Sequence, residues 1–375
     1  MNLQLENLLD WHKSNHQKVI KGRYINLHQI EPLIDDLSSS FKISVLGHSV
    51  EERPIYAIEF GQGKIKILMW SQMHGNESTT TKAVFDLFKA VDDADKNFDW
   101  VSEHFTIIII PMLNPDGAQA YTRVNAAQVD LNRDAQDLTQ PESQVLAKIF
   151  EDFKPDYCFN LHGQRTIYGF EASGALSVLS FLAPSGDEGR SVTLSRKRAM
   201  NIISHIYNGL NPQLSGKIGR YDDDFNLNCT GDTFMAAGIP TILFEAGHYP
   251  DDYEREVTRG YVFAAISIAL AGIALKKEDV DGDYFKIPEH QKCFFDIILR
   301  NSSGDDIAVQ YEEVLQGNKV LFVPKVSQIG DLDRFFGHKE IAISSAGLYD
   351  EEDKKIEVGD TLTEWNNSID LTITL

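Results

Sequence analysis

The sequence predicts an α/β protein with a smaller β-rich domain behind it. Three observations predict this: apolar runs of strand length, helical periodicity between them, and a break in composition at residues 276–283 (KKEDVDGD). Runs such as Ile65 to Trp70 and Phe105 to Met112 (FTIIIIPM) lack strict apolar–polar alternation. Strands of that kind are buried on both faces, so helices are expected on both sides of a sheet. At 375 residues the chain also exceeds what one core usually organises, about 250–300 residues.

The elements follow in order. Residues 1–38 carry mainly helical spacing, with Leu5, Leu8 and Leu9 on one face and Trp11 near its edge. Phe41 to Leu46 and Pro54 to Phe60 alternate as strands, joined by the turn-rich segment 47–53. Ile65 to Trp70 is a buried strand. From Ser78 the positions of Ala83, Val84, Leu87, Phe88 and Val91 predict a helix. After the strand at Phe105, Pro141 to Phe153 reads as helix and Tyr157 to Leu161 as a strand ending at His162. Ser191 to Leu210 is a helix, Thr241 to Phe244 a strand ending at Glu245, and Glu254 to Leu275 a long helix. A first domain over 1–278 and a second over 284–375 are expected. In the second, short alternating segments (Phe294–Leu299, Val309–Glu313, Val320–Val323, Glu340–Ser344, Leu371–Leu375) predict a small antiparallel β domain.

Composition removes several function classes. The formal charge of -21 argues against a nucleic-acid partner, because phosphate binding needs a basic surface. The three cysteines, Cys158, Cys229 and Cys293, form no close pair and read as reduced thiols. The first residues lack a basic start followed by an apolar stretch, so no signal peptide is expected. The apolar run Val262 to Leu275 is too short to span a bilayer and reads as a buried helix. A cytoplasmic protein with no membrane partner is the expectation.

The chemistry concentrates in three blocks. In His74-Gly75-Asn76-Glu77 an imidazole and a carboxylate stand three residues apart where a strand gives way to a helix. Zinc takes such nitrogen and oxygen donors, and a catalytic site uses three of them. An HxxE pattern alone is common, and a helix-capping Glu produces it too. His162, at the end of another buried strand, is a candidate third donor; a lone strand-end His is usually structural, and the presence of HGNE strengthens the combination. The second block, 113–134 (LNPDGAQAYTRVNAAQVDLNRD), is too polar for a core strand. It holds Arg123, Asp130, Asn132 and Arg133. An Asn beside an Arg suits a carboxylate, and a separate Arg suits a developing oxyanion. In the third block, Glu245 ends an apolar strand, where a carboxylate is costly without a partner or a task.

HGNE, NPDG, DLNRD, the strand-end His and the late strand-end Glu occur in this order in the zinc carboxypeptidase family, and over roughly residues 40–275 the chain resembles it. The resemblance implies a mixed eight-stranded sheet sandwiched by helices. It implies one zinc per chain held by His74, Glu77 and His162, with Glu245 as general base and acid. By the same resemblance Arg123 polarises the scissile carbonyl, Asn132 and Arg133 bind the substrate's terminal carboxylate, and Asp130 holds the ring of His74. Tyr221 is the nearest candidate for the family's substrate-capping tyrosine, although its spacing departs from the pattern.

The expected partner is therefore a peptide or amino-acid conjugate with a free carboxylate. A deacylase of N-acyl amino acids, of the aspartoacylase and succinylglutamate desuccinylase type, is the alternative, since those enzymes share an HGNE-like motif and a carboxylate-binding Arg. A catalytically silent binding protein would have lost a ligand or the Glu. Asp222, Asp223 and Asp224, beside Tyr221, raise the expectation of a preference for substrates carrying an amine.

Overall fold

The computed structural model describes residues 4–92, 98–277, 283–302, 304–343 and 356–362. The segment Leu371–Leu375 and most of the expected linker lie outside them. The chain divides into two compact units, residues 1–164 with 178–289 and residues 165–177 with 290–375. The division differs from the contiguous domains expected at 1–278 and 284–375, and hydrogen bonding explains it. The short strands β6 (Tyr168–Phe170) and β7 (Ala175–Leu176) pair with each other, and β6 pairs with β11 (Gln291–Lys292). Ile167 O also accepts from the backbone of Cys293 and Phe294.

In the first unit, α1 (Leu5–Asn15) and α2 (Leu27–Asp35) are separate helices. α1 stops where His16 turns extended, and α2 starts afresh at Asn26, whose N–H donates to Gln29 Oε1 (3.0 Å). Next come β1 (Lys42–His48), β2 (Pro54–Phe60), β3 (Ile65–Ser71), α3 (Thr79–Val91), α4 (Asp99–His104), β4 (Phe105–Ile110), α5 (Pro115–Ala120), α6 (Pro141–Phe153) and β5 (Tyr157–Gly163). The unit resumes with β8 (Leu179–Leu182), α7 (Leu194–Leu214), β9 (Ile218–Arg220), α8 (Thr230–Ala236), β10 (Thr241–Ala246) and α9 (Glu256–Ala274).

The strands form one eight-stranded mixed sheet in the order β1-β2-β4-β3-β5-β10-β8-β9. Its centre, β4-β3-β5-β10, is parallel, while β2 and β8 run against their central neighbours. Side chains alternate across the pleat. On one face Leu68, Trp70, Ile108, Ile110 and Cys158 pack with Leu146 of α6 and Phe234 of α8. On the other lie α3, α7 and α9. Helix α9 has the length and apolar content to cross a membrane, and 89% of its most apolar window is buried inside the protein.

Beneath α9 lies a buried ionic network. Asp86 of α3 accepts from Arg259 through both oxygens (2.7 Å each) and from His12 Nε2 (2.8 Å) and Gln17 N (2.7 Å). Arg259 also donates to Ile20 O, Gln17 O and Glu256. Lys82, fully buried, donates to Glu254 O and Glu256. These groups tie α1, α3 and α9 together and leave few polar valences unused.

The second unit holds a four-stranded sheet of β12 (Phe294–Asn301), β13 (Asp306–Gln316), β14 (Lys319–Gly330) and β15 (Phe336–Ile343), in the order β14-β13-β12-β15. The β12–β13 and β13–β14 pairs are antiparallel, and β15 joins β12 in parallel. Ile298, Ala308 and Leu332 form its small core, covered by Phe295 and Phe335.

Candidate metal centre

Strands β3, β5 and β10 are adjacent and parallel, so their carboxyl ends deliver side chains to one edge of the sheet. That edge is where open α/β sheets present binding groups. The register sets Glu245 directly opposite His162 and Leu161 opposite Ser71.

Beyond Ser71 the chain turns at Gln72, whose φ of 50° is unfavourable for a residue with a side chain. Three buried hydrogen bonds hold it there. Gln72 Nε2 donates to Ile25 O (2.8 Å) and Gly75 O (2.7 Å), and Oε1 accepts from Thr81 Oγ1 (2.9 Å). Gly75 then presses on the turn at Gly117, where a Cβ at Gly75 would lie 1.9 Å from the Gly117 carbonyl carbon. Asn114 caps α5 by accepting from Gly117 N (2.8 Å), and its amide donates to Met73 O (3.1 Å). HGNE and NPDG are thus two halves of one packed turn. Glu77 lies in that turn, ahead of Ser78 at the start of α3. Sequence reasoning passed over the threonines that follow. Thr80 donates to Leu161 O (3.2 Å), clipping α3 to the end of β5.

This framework brings His74, Glu77 and His162 together, with one ligand atom from each lying within 4.8 Å of the others. His74 Nδ1 is 2.9 Å from Glu77 Oε1, His162 Nδ1 is 3.0 Å from Glu77 Oε2, and the two ring nitrogens are 3.1 Å apart. His74 Nε2 faces Asp130 Oδ1 at 3.0 Å. A carboxylate accepts, so that nitrogen carries the hydrogen and the neutral ring turns its Nδ1 lone pair toward Glu77. Acceptor atoms therefore confront one another, and only a proton or a cation between them relieves the repulsion. Two imidazole nitrogens and a carboxylate match the donor set of catalytic zinc sites. The residues fit the ion.

The electrostatics agree with a cation site. Burial opposes the charge on Glu77, but His74 and His162 outweigh it and hold the carboxyl well below the usual range. Burial works against the His74 cation too, yet Glu77 and Asp130 raise its pKa. Burial lowers that of His162, which Glu77 only partly offsets. Glu245 behaves oppositely to Glu77: burial and then the charge of Glu77 push its carboxyl well above the usual range. Its Oε2 is sealed from solvent without a hydrogen-bond partner among the described residues, as is His162 Nε2.

The remaining expected residues surround this core unequally. Asp130 binds His74 and Asn132 N (2.9 Å) while receiving Arg123 Nε (3.1 Å). Arg123 also reaches Glu77 (3.4 Å) and stays half exposed. Asn132 Oδ1 accepts from Thr230 N (3.0 Å), and Arg133 donates to Cys229 Sγ (3.1 Å). Thr230 and Cys229 were not foreseen as partners. Tyr221 follows β9, whose Arg220 pairs with Phe181 opposite Phe244, and Tyr221 N donates to Phe181 O. The backbone there runs away from the carboxyl end of β10. The acidic triplet is largely spent: Asp223 pairs with Arg196 and Arg190, and Asp224 with Arg190. The amine preference expected from three free carboxylates loses its basis. His248 is buried with its ring 4.6 Å from Tyr253.

The sequence model of the zinc carboxypeptidase family matches residues 29–174, which include every expected site residue except Tyr221 and Glu245. Carboxypeptidase SOL1 of Arabidopsis thaliana is 28% identical over 148 residues, covering 34% of this chain and 30% of that protein. Carboxypeptidase 2 of Trichophyton rubrum is 26% identical over 102 residues, covering 26% of this chain and 18% of that protein. The chain thus matches less than a third of the length of these relatives. Among solved structures, a metallo-carboxypeptidase from Burkholderia cenocepacia superimposes with a TM-score of 0.52 at 20% identity, covering 65% of this chain and 67% of the other. Carboxypeptidase A from Helicoverpa armigera gives 0.53 at 16% identity, covering 72% and 80%. At such identities the likeness shows the fold. Sequence over residues 29–174 and fold together make this a zinc carboxypeptidase-like protein.

Proposed function

We propose that the chain is a zinc-dependent carboxypeptidase, hydrolysing the amide bond next to a free C-terminal carboxylate. The observation that carries the reading is the β5–β10 register, which sets the unpartnered Glu245 carboxyl beside the ligand His162. His74, Glu77 and His162 would hold the zinc. When bound, zinc polarises the scissile carbonyl and makes water a stronger acid.

The chain's own residues do the rest. Glu245 Oε2 takes a proton from the water that adds to the carbonyl carbon, and hands it to the nitrogen as the C–N bond breaks. Arg123, half exposed and held by two carboxylates, can turn a donor toward the carbonyl oxygen as negative charge gathers there. Arg133 and Asn132 orient the substrate through its terminal carboxylate, which makes the enzyme an exopeptidase. Asp130 keeps His74 in the tautomer that leaves Nδ1 unprotonated.

The test begins with the metal content of the purified protein, expected at about one zinc per chain. A panel of N-benzoylglycyl-X peptides, with X each of the twenty amino acids, is then followed by mass spectrometry. Release of X from free-acid peptides, and none from C-terminal amides, supports the reading. Equal cleavage of the amides removes the exopeptidase assignment. Turnover of N-acyl amino acids alone moves the protein to the deacylase alternative.

A further inference from the structure

The chain after Asp130 is zipped to residues 226–233. Thr230 N donates to Asn132 Oδ1, Ala135 N to Asn228 O (3.3 Å), Gln136 N to Asn228 Oδ1 (2.9 Å) and Gln136 Nε2 to Thr233 Oγ1 (2.9 Å). At the head of this zipper, Arg133 Nη1 donates to Asn132 O (2.7 Å) and to Cys229 Sγ (3.1 Å). Arg133 has no carboxylate partner among the described residues. Arg53, Arg123, Arg190, Arg196, Arg259 and Arg300 all have one.

We infer that Cys229 is a positioning residue for Arg133, a neutral acceptor that aims the guanidinium and leaves its charge to a substrate carboxylate. The inference rests on the carboxypeptidase reading above. Cys229 stands at the N-cap of α8 and makes no side-chain capping bond, so its sulfur is directed to Arg133 instead. Only Nη1 is engaged, which leaves Nη2 and Nε for the paired bonds a carboxylate accepts. An aspartate at this place would aim the guanidinium equally well, but it would neutralise it. Burial raises the thiol's pKa, against the pull of Arg133, so the group is uncharged at neutral pH.

The experiment uses the zinc-loaded full chain and the N-benzoylglycyl-X peptide that the parent cleaves best. Cys229→Ala is expected to raise KM roughly tenfold, the size of one modest hydrogen bond, with kcat within about twofold. Cys229→Ser, which keeps a small neutral acceptor, should restore most of the loss. Cys229→Asp keeps an acceptor but cancels the charge, so it should raise KM at least as much as alanine does. In an Arg133→Ala background, Cys229→Ala should add nothing. An unchanged KM in Cys229→Ala, or an equal loss in the Arg133→Ala background, overturns the inference. A KM for Cys229→Asp at or below the parent's overturns it as well, and decides the matter if the alanine variant does not fold. If Arg133→Ala leaves KM unchanged, the carboxylate reading falls and the inference with it. If only Cys229→Ala is silent, that reading stands alone.

Discussion

The first unit contains two clusters built from the same kinds of residue, and they differ in what is left over. Around Asp86, a histidine, an arginine and a lysine meet two carboxylates, and nearly every donor finds an acceptor. Around Glu77, two histidines and an arginine meet three carboxylates. Yet Glu245 Oε2 and His162 Nε2 have no partner among the described residues, and His74 Nδ1 faces Glu77 Oε1 as acceptor to acceptor. The Asp86 cluster joins helices on the inside of the molecule, whereas the Glu77 cluster sits where strands end. Buried charge therefore does not mark a functional site. Unspent valence concentrated on a cluster of ionisable groups is the better sign, because a group that must bind a substrate or move a proton cannot also be saturated by the fold.

The sharpest test of this contrast is Glu245→Gln. It keeps the shape and removes the base, so kcat is expected to fall about a hundred- to ten-thousand-fold. Metal content, measured by plasma emission, and melting temperature should stay at parental values. The companion change is Asp86→Ala, which leaves Arg259 and His12 buried without their partner. Urea melts should show a loss of roughly 3–5 kcal/mol. Zinc affinity, measured where the variant is still folded, should not move. If Asp86→Ala instead abolished zinc binding at full stability, the division into a structural and a chemical cluster would be wrong.

A smaller effect is expected at Asp130→Asn. The amide can still touch His74 but no longer fixes its tautomer, and zinc affinity should drop about 10–100-fold in chelator competition. His162→Ala should lose most of the metal outright.

A further effect is a pH dependence confined to the saturated cluster. Burial lowers the pKa of Lys82 to about 8 from its ordinary 10.5. Below pH 8 both folded and unfolded chains hold this proton. Between pH 8 and 10.5 the unfolded chain holds it more, so the residue's contribution to stability rises with pH there, by up to roughly 3 kcal/mol. Relative to Lys82→Met, the parent should therefore gain stability between pH 8 and 10. A constant difference across that range would mean that Lys82 keeps its ordinary affinity for the proton.

The centre was legible because its donors sit in short motifs at the ends of strands that are obvious from apolar runs. Glu245 and His162 could be placed because Thr241–Phe244 and Tyr157–Leu161 announce where their strands stop. The edge of the sheet was not legible. Strands β8 and β9 hold four and three residues, too few for periodicity to register. Nor does anything local reveal that residues 165–177 leave one unit for the other, since their pairing partner lies more than a hundred residues on. The acidic triplet misled for a related reason: Arg190 and Arg196, distant in sequence, take up two of its charges.

The contact between Gly75 and Gly117 has a consequence for how this site can vary. A Cβ at Gly75 would run into the main chain at Gly117 and Ala118, and one at Gly117 would meet Asn114 Nδ2 at 2.5 Å and Val124 O at 2.6 Å. The ligand loop is therefore registered against its support like a key cut to one blank, and side-chain repacking nearby cannot compensate for a change at the point of contact. Two motifs separated by some forty residues form a single packed unit. A substitution at Gly117, which touches neither ligand nor substrate, would push on Asn114, whose amide holds Met73 O next to His74, and so should reach the centre through that one side chain.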